Sequence, residues 1–260
     1  MSRYAYWTAI FLFAGLVWTK FSPQTGFTSL IRFGETWQER RHSVVQGLPL
    51  ATVPASNGYD GQFYAQVALD PLLRSSELAN VLDTPIYRAR RILTPAAAAL
   101  FGLGDPWWTL QAYALLNVFC WLVLGWLLHR QLDPKDKFAC ARWAGCMFSM
   151  GVLDSVRQSL VDLPALLLMA LAVGVCAKPR PTRAVLWLAL ANLAKETSLL
   201  GTLALHCDKS IRPFPWPVSG WAWWSPSCRS PYGRSTCSSV SPMFRATSAP
   251  VIFPGLSLAC

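Results

Sequence analysis

The sequence predicts an all-α protein, a polytopic membrane helix bundle of about five spans with a long external first loop. Of its 260 residues, 53% are hydrophobic, and the mean hydropathy is +0.32. Only 14% are charged, whereas a soluble domain carries about a quarter. The net charge of +10 comes from basic residues that cluster between apolar runs. That placement is typical of cytoplasmic loops and lipid headgroups, so membrane lipid, and not nucleic acid, is the expected partner.

Five apolar runs account for the predicted spans, and together they form a membrane region over residues 1–205. The first is interpreted as an uncleaved span with a cytoplasmic N-terminus, with a cleaved signal peptide as the alternative. Basic residues in 130–142 and 178–183 place those loops in the cytoplasm, which leaves the first loop, 20–106, outside. Within that loop, 92–104 is too short to cross and is predicted to lie at the interface. The predicted spans are 4–19, 107–128, 138–153, 160–177 and 184–205.

Residues 206–260 differ abruptly from the rest of the chain. They hold eight of the 19 prolines and four of the 13 tryptophans, with one acid and no helical apolar period. We interpret this tail as the product of a frameshift, with a native disordered tail as the alternative. The eight cysteines include no CxxC pair. Those inside apolar runs are therefore predicted to be buried, inert thiols.

Two stretches of the first loop carry candidate chemistry. Asp60 lies between Gly58 and Gly61 in a turn rich in aromatic residues, including Tyr64, which could stack against a sugar or lie at the interface. Further on, three arginines fall within four residues. An acid beside guanidinium groups at a membrane surface suits chemistry on a lipid-linked phosphate. The alternatives are a simple turn aspartate and surface anchors for anionic lipid. The three arginines are Arg88, Arg90 and Arg91.

Further ionisable residues interrupt or border the apolar runs. Arg157 and Asp162 lie between two predicted spans, and Lys195 and Glu196 lie near the middle of the last one. Each such group costs ~3 kcal/mol on insertion scales and normally faces a cavity or a partner. We therefore expect Lys195 and Glu196 to bind substrate, with mutual pairing that only fixes helix packing as the alternative. For Arg157 and Asp162, substrate binding and such pairing are equally open.

Three motifs in this order resemble bacterial GT-C-type glycosyltransferases, which are related to mannosyl- and arabinosyltransferases. They are Tyr-Asp-Gly-Gln-Phe-Tyr at 59–64, Tyr-x-x-x-Arg-Ile-Leu-x-Pro at 87–95 and Ala-Lys-Glu-Thr at 194–197. The resemblance covers residues 1 to about 205, and the chain lacks the later spans that family members usually have. It implies a multi-pass protein of the bacterial plasma membrane that takes a sugar from a polyprenyl-phosphate carrier.

The resemblance also implies roles for individual residues. Asp60 would be the external acid that acts as general base or as ligand of a divalent cation. Arg90 or Arg91 would face the carrier phosphate, while Lys195 and Glu196 would line the cavity. Guanidinium groups stabilise the charge that grows on a leaving phosphate, and a carboxylate can deprotonate the acceptor, giving inversion. No nucleotide-binding motif occurs. A transporter or flippase remains an alternative, although no internal repeat is evident, as does a non-catalytic or inactive fragment.

Overall fold

A computed structural model describes residues 3–133, 136–176 and 181–201, so the predictions for 206–260 lie outside the described residues. The described chain is mostly helical, which confirms the all-α class. Short 3₁₀ helices occur at Thr28–Leu30, Glu35–Arg40 and Glu196–Ser198. Two parallel two-residue strands, β1 (Phe33–Gly34) and β2 (Thr52–Val53), form a minimal sheet in which Phe33 is opposite Thr52. The α-helices are α1 (Arg3–Trp18), α2 (Ser43–Gln46), α3 (Gly61–Val67), α4 (Leu78–Val81), α5 (Pro85–Ala89), α6 (Leu93–Gly102), α7 (Pro106–Gln131), α8 (Ala139–Met147), α9 (Met150–Arg157), α10 (Asp162–Cys176) and α11 (Pro181–Ala194).

Helix α7 is the long central element. It begins where the Asp105 side chain accepts a hydrogen bond from the Trp108 N–H at 2.9 Å, with Pro106 in the first turn. Both features favour a helix start. Its 26 residues span about 39 Å at 1.5 Å per residue. Among the described residues it is the one helix both long and apolar enough to cross a membrane.

An aromatic core joins α7 to α1 and α8. Phe13 stacks on Trp121 with ring centroids 3.6 Å apart, and Trp143 meets Trp121 edge-on at 6.0 Å. Both indole N–H groups are satisfied by backbone carbonyls, Trp121 to Met147 O at 2.9 Å and Trp143 to Gly125 O at 2.8 Å. Buried indoles that keep their hydrogen bonds fix the helices at one rotation. This core therefore sets the position of α7 against its neighbours.

The other predicted spans correspond to shorter helices. Residues 138–153 form two helices, α8 and α9, separated at Phe148 and Ser149. The last predicted span also changes direction, because α11 ends at Ala194 and Lys195 adopts an extended backbone. Helix α6 forms within 92–104, and its location at the membrane interface stays a prediction. The structure thus supplies one helix of spanning length among the described residues, and the five-span arrangement stays a prediction.

Two buried glutamines hold the first loop in a defined shape. Gln62 accepts a hydrogen bond from the Gly34 N–H at 3.0 Å and donates to Asn57 O at 2.7 Å. One turn later, Gln66 accepts from the His42 N–H at 2.8 Å and donates to Gln62 O at 3.2 Å. Buried amides that satisfy backbone groups replace the regular ladders that this segment lacks. They fix α3, the helix that carries the first candidate residues.

Candidate functional site

Asp60 immediately precedes α3, and the chain at its neighbour Gly61 lies against the connection between α9 and α10. A side chain at Gly61 would place its Cβ only 2.2 Å from the Gln158 carbonyl oxygen. Only glycine permits this close approach of two backbones. One turn further on, Tyr64 is almost completely buried. The Asp-Gly turn therefore places a partly exposed carboxylate one turn before a buried phenol.

Arg88, in the last turn of α5, lies between two carboxylates. Its Nη1 is 2.8 Å from Asp60 Oδ2 and its Nη2 donates to Asp60 Oδ1 at 2.9 Å. Asp83 occupies the other edge of the guanidinium, accepting from Nε at 2.9 Å and from Nη2 at 2.8 Å. Arg88 is only 3% exposed. The bidentate pair with Asp83 and the ion pair with Asp60 fix the position of the guanidinium and balance its charge.

The titration behaviour agrees with this geometry. Burial acts to lower the pKa of Arg88, but the hydrogen bonds that Arg88 donates to Asp83 and Asp60, with a further contribution from Tyr64, outweigh it, so the pKa is raised above its ordinary value. The hydrogen bond from Arg88 in turn holds the pKa of Asp83 below its usual value, against the opposing effect of burial. The protonated guanidinium and the ionised Asp83 carboxylate stabilise one another.

Arg91 joins the first loop to the segment that follows α11. Its Nε and Nη2 donate to the two Glu196 carboxylate oxygens at 2.8 and 2.6 Å, in a bidentate pair. Nη1 donates to the Tyr64 hydroxyl at 3.1 Å, and Nη2 also contacts the Tyr87 hydroxyl. The paired residues Arg91 and Glu196 are 105 positions apart in the chain. Two of the sequence motifs therefore meet in one ion pair.

Tyr64 connects the two arginines. The Arg88 guanidinium lies 5.0 Å from its ring centroid, while its hydroxyl accepts from Arg91. The whole group forms one continuous set of contacts, with three carboxylates against two guanidinium groups. A phosphate that approached Arg88 or Arg91 would have to compete with these carboxylates. We call the set the arginine cluster: Asp60, Tyr64, Asp83, Tyr87, Arg88, Arg91 and Glu196.

Lys195 and Asp162 form a second ion pair next to the arginine cluster. Asp162 begins α10 and Lys195 directly follows α11, so the pair shows that the start of one helix lies beside the end of the other. Both side chains remain partly exposed. The sequence favoured a functional role for Lys195 and Glu196, with pairing as the alternative. In the structure Lys195 pairs with Asp162 and Glu196 with Arg91, and the functional role stays a prediction.

Arg90 and Arg157 are placed differently from the other candidate residues. Arg90 follows α5 and is exposed, although it lies between two arginines that are buried. Arg157, at the end of α9, is 3.8 Å from Asp154 and is largely exposed. Neither forms an ion pair with the arginine cluster among the described residues. They present positive charge to solvent, whereas Arg88 and Arg91 do not.

Sequence reasoning missed Asp83 and Tyr87 as members of the site. The signal for Asp83 was present, because Asp-Thr-Pro is a typical helix start and places an acid five residues before Arg88. It also missed the glutamines that hold α3. Among the described residues, no group of three His, Cys, Asp or Glu side chains could hold a metal ion.

The fold and the cluster define a mostly helical protein in which one described helix is long and apolar enough to cross a membrane, with a buried arginine–carboxylate cluster beside it. Comparison of the chain with protein families, with curated proteins and with solved structures found no match.

Proposed function

We propose that the chain is an integral-membrane glycosyltransferase that moves a sugar from a polyprenyl-phosphate carrier to an extracytoplasmic acceptor with inversion. One observation carries the proposal. The Asp60 side chain is 47% exposed, while both of its oxygens are fixed from behind by Arg88, whose side chain is 4% exposed. A carboxylate that is both accessible and immobile is suited to take a proton from a bound hydroxyl.

In the proposed reaction, the acceptor oxygen attacks the anomeric carbon while its proton passes to Asp60. The bond from the anomeric carbon to the phosphate oxygen breaks, and its electron pair leaves with the polyprenyl phosphate. We assign the stabilisation of that developing charge to Arg90, since it is exposed and forms no ion pair among the described residues. Arg88 and Arg91 are positioning residues, because carboxylates already take up their charge.

Asp60 fits the role of base better than that of metal ligand. Its Oδ1 accepts from Arg88 Nη2 and its Oδ2 lies 2.8 Å from Arg88 Nη1, so a cation would have to displace the guanidinium from both oxygens. No other acid completes a metal-binding group with it among the described residues. The donor set therefore does not suit a divalent cation, and no step in the proposal uses one.

The depth of the cluster along α7 supports a lipid-linked substrate. Tyr113 and Asn117 donate to the Ser159 and Leu160 carbonyls, each at 2.8 Å, and so hold the connection against which Gly61 packs. These positions lie roughly 10–17 Å along the helix from Pro106. If α7 crosses the membrane with Pro106 at the outer surface, the connection lies below that surface. At that depth Asp60, next to Gly61, would be within reach of a lipid-linked donor.

The test compares Asp60→Asn with Asp83→Asn in membranes supplied with polyprenyl-phosphate mannose or arabinose, measuring release of polyprenyl phosphate. Both changes remove a carboxylate that contacts Arg88, but only Asp60 is assigned the proton transfer. We expect a fall of about 10²- to 10⁴-fold for Asp60→Asn and a much smaller one for Asp83→Asn. Equal losses of activity in the two variants would mean that Asp60 only positions Arg88. Retention of activity by Asp60→Asn would remove Asp60 from the mechanism.

The orientation is tested separately, in a background without native cysteines. Arg90→Cys and Lys137→Cys are matched probes, because both positions are exposed and lie on opposite sides of α7 in the chain. In intact cells, an impermeant thiol reagent should label the cysteine at 90 and leave that at 137 unlabelled until the membrane is opened. The reverse pattern would place the first loop in the cytoplasm and contradict the proposed reaction with an external acceptor.

A further inference from the structure

A polar cleft lies in the first loop, separate from the arginine cluster. It has a volume of about 510 Å³, within the range of small-molecule sites. Its walls come from three neighbouring segments: the end of the 3₁₀ helix Glu35–Arg40, the following residues up to the end of α2, and α4 with the residue before it. The polar lining residues are Glu39, Arg40, Arg41, Gln46, Glu77 and Asn80.

Arg41 is the unusual member of this lining. It is 6% exposed, and Nη2 donates to the Gly34 carbonyl at 2.8 Å. Its guanidinium also lies 5.2 Å from the Phe33 ring centroid. Nε is buried without a hydrogen-bond partner, and no carboxylate forms an ion pair with Arg41 among the described residues. Burial lowers the pKa of Arg41. A buried cation without a counter-ion is costly unless an anion reaches it.

The walls around Arg41 are held in place by hydrogen bonds. Glu77 accepts from the Ser43 N–H at 2.7 Å and from the Ser43 hydroxyl at 3.0 Å. Gln46 donates to the Arg41 carbonyl at 2.9 Å and to the Glu39 carbonyl at 3.2 Å. The side chains of Glu39 and Asn80 are exposed at the cleft. Carboxylates and amides fixed beside a guanidinium group are suited to bind hydroxyl groups next to an anion.

We propose that this cleft binds a sugar that carries one anionic group, with the anion on Arg41 and the hydroxyls on the acidic and amide side chains around it. A phosphate or a carboxylate would satisfy the same guanidinium, so both phosphorylated and uronic sugars fit. The site shares no residue with the arginine cluster and does not depend on the proposed transfer reaction.

The test is calorimetric titration of the purified full chain in detergent with glucose 6-phosphate, glucuronate and glucose. At least one of the two anions should bind at least about tenfold more tightly than glucose, and the preferred one identifies the anionic group. Arg41→Gln should weaken that binding by about tenfold or more. Arg74→Gln removes an exposed arginine that does not line the cleft, and should leave binding unchanged.

Asn80→Asp is a second variant that keeps Arg41 and its contacts. It adds a carboxylate to an exposed position in the cleft, so it should weaken binding of the anionic sugar, and added salt should reduce the difference. This variant decides the matter if Arg41→Gln fails to fold. The proposal is overturned if neither anion binds up to about 10 mM, if glucose binds as tightly as the anions, or if folded Arg41→Gln or Asn80→Asp binds like the parent.

Discussion

Arg88 and Arg41 lie in the same loop and are almost equally buried, at 3% and 6% exposure, yet their surroundings are opposite. Arg88 is enclosed by Asp60 and Asp83, which take up its charge. Arg41 has one backbone carbonyl and one aromatic ring. Burial alone therefore does not reveal what an arginine does in this chain. The presence or absence of a counter-ion is more informative. Arg88 is paired with carboxylates and positions Asp60, whereas the charge of Arg41 is not balanced by a described carboxylate and is available to a ligand.

Removal of the Arg88 guanidinium should have the largest effect on stability and tests the difference between the two arginines most directly. Arg88→Gln leaves two carboxylates facing each other without their cation, and breaking a buried pair costs about 3 kcal/mol or more in free energy of unfolding. The two acids are partly exposed, so we expect a value near the lower end, about 3 kcal/mol. Denaturant unfolding in detergent measures it.

Arg90→Gln is the matched control for that experiment. Arg90 lies two residues away and is exposed, so its loss should change the free energy of unfolding by no more than about 0.5 kcal/mol. Similar destabilisation by both variants would mean that the general positive charge of the segment matters, and that the contacts of Arg88 with Asp60 and Asp83 do not.

Arg41→Gln should have a smaller effect on the free energy of unfolding. The change loses the hydrogen bond to Gly34 O and the contact with the Phe33 ring. It also removes a buried charge that no described carboxylate balances, and that relief offsets part of the loss. We expect a net destabilisation of about 1 kcal/mol, well below that of Arg88→Gln. Destabilisation as large as that of Arg88→Gln would show that Arg41 is not short of a counter-ion.

The sequence indicated much of the site but not its pairing. Its motifs singled out Asp60, Arg91 and Glu196, and the structure brings all three into one cluster. Which acid meets which arginine depends on long-range packing, as in the 105-residue separation of Arg91 and Glu196. No local pattern encodes that distance. The role of Gln62 and Gln66 was hidden for the same reason, since a buried glutamine resembles a surface one in sequence.

The fold was predictable where apolar runs are long and uninterrupted. Helix α7 has such a run and both of its end signals, Asp105-Pro106 and His129-Arg130. The end of α11 before Lys195 was harder to predict. A hydropathy pattern shows only that Lys195 and Glu196 are costly inside an apolar helix, and it does not show that the helix stops there. In the structure, the backbone turns at Lys195, and Glu196 and Lys195 reach Arg91 and Asp162. Partners elsewhere in the chain decided where that helix ends.

The smallest expected effect is the pH dependence that the Asp83–Arg88 ion pair gives to the free energy of unfolding. Arg88 holds the pKa of Asp83 below its ordinary value of 3.8 in the folded state. A carboxyl whose pKa is lowered by folding stabilises the protein above its unfolded pKa, and that contribution is lost as the pH falls through the folded value. The advantage of the parent over Asp83→Asn in free energy of unfolding should therefore be present at neutral pH and shrink below about pH 4.

The size of this change follows from exposure. The Asp83 side chain is 32% exposed, so solvent screens the pair and the change should be below about 1 kcal/mol. Unfolding of the parent and Asp83→Asn across the acid range measures it. Repeating the pair of measurements in Arg88→Gln supplies the control. The largest cause of the lowered pKa is then gone, and burial and the hydrogen bond from Thr84, which act on the pKa in opposite directions, remain, so the pH dependence should become much smaller. An undiminished pH dependence without Arg88 would assign the effect to another group and would separate Asp83 from the network that positions Asp60.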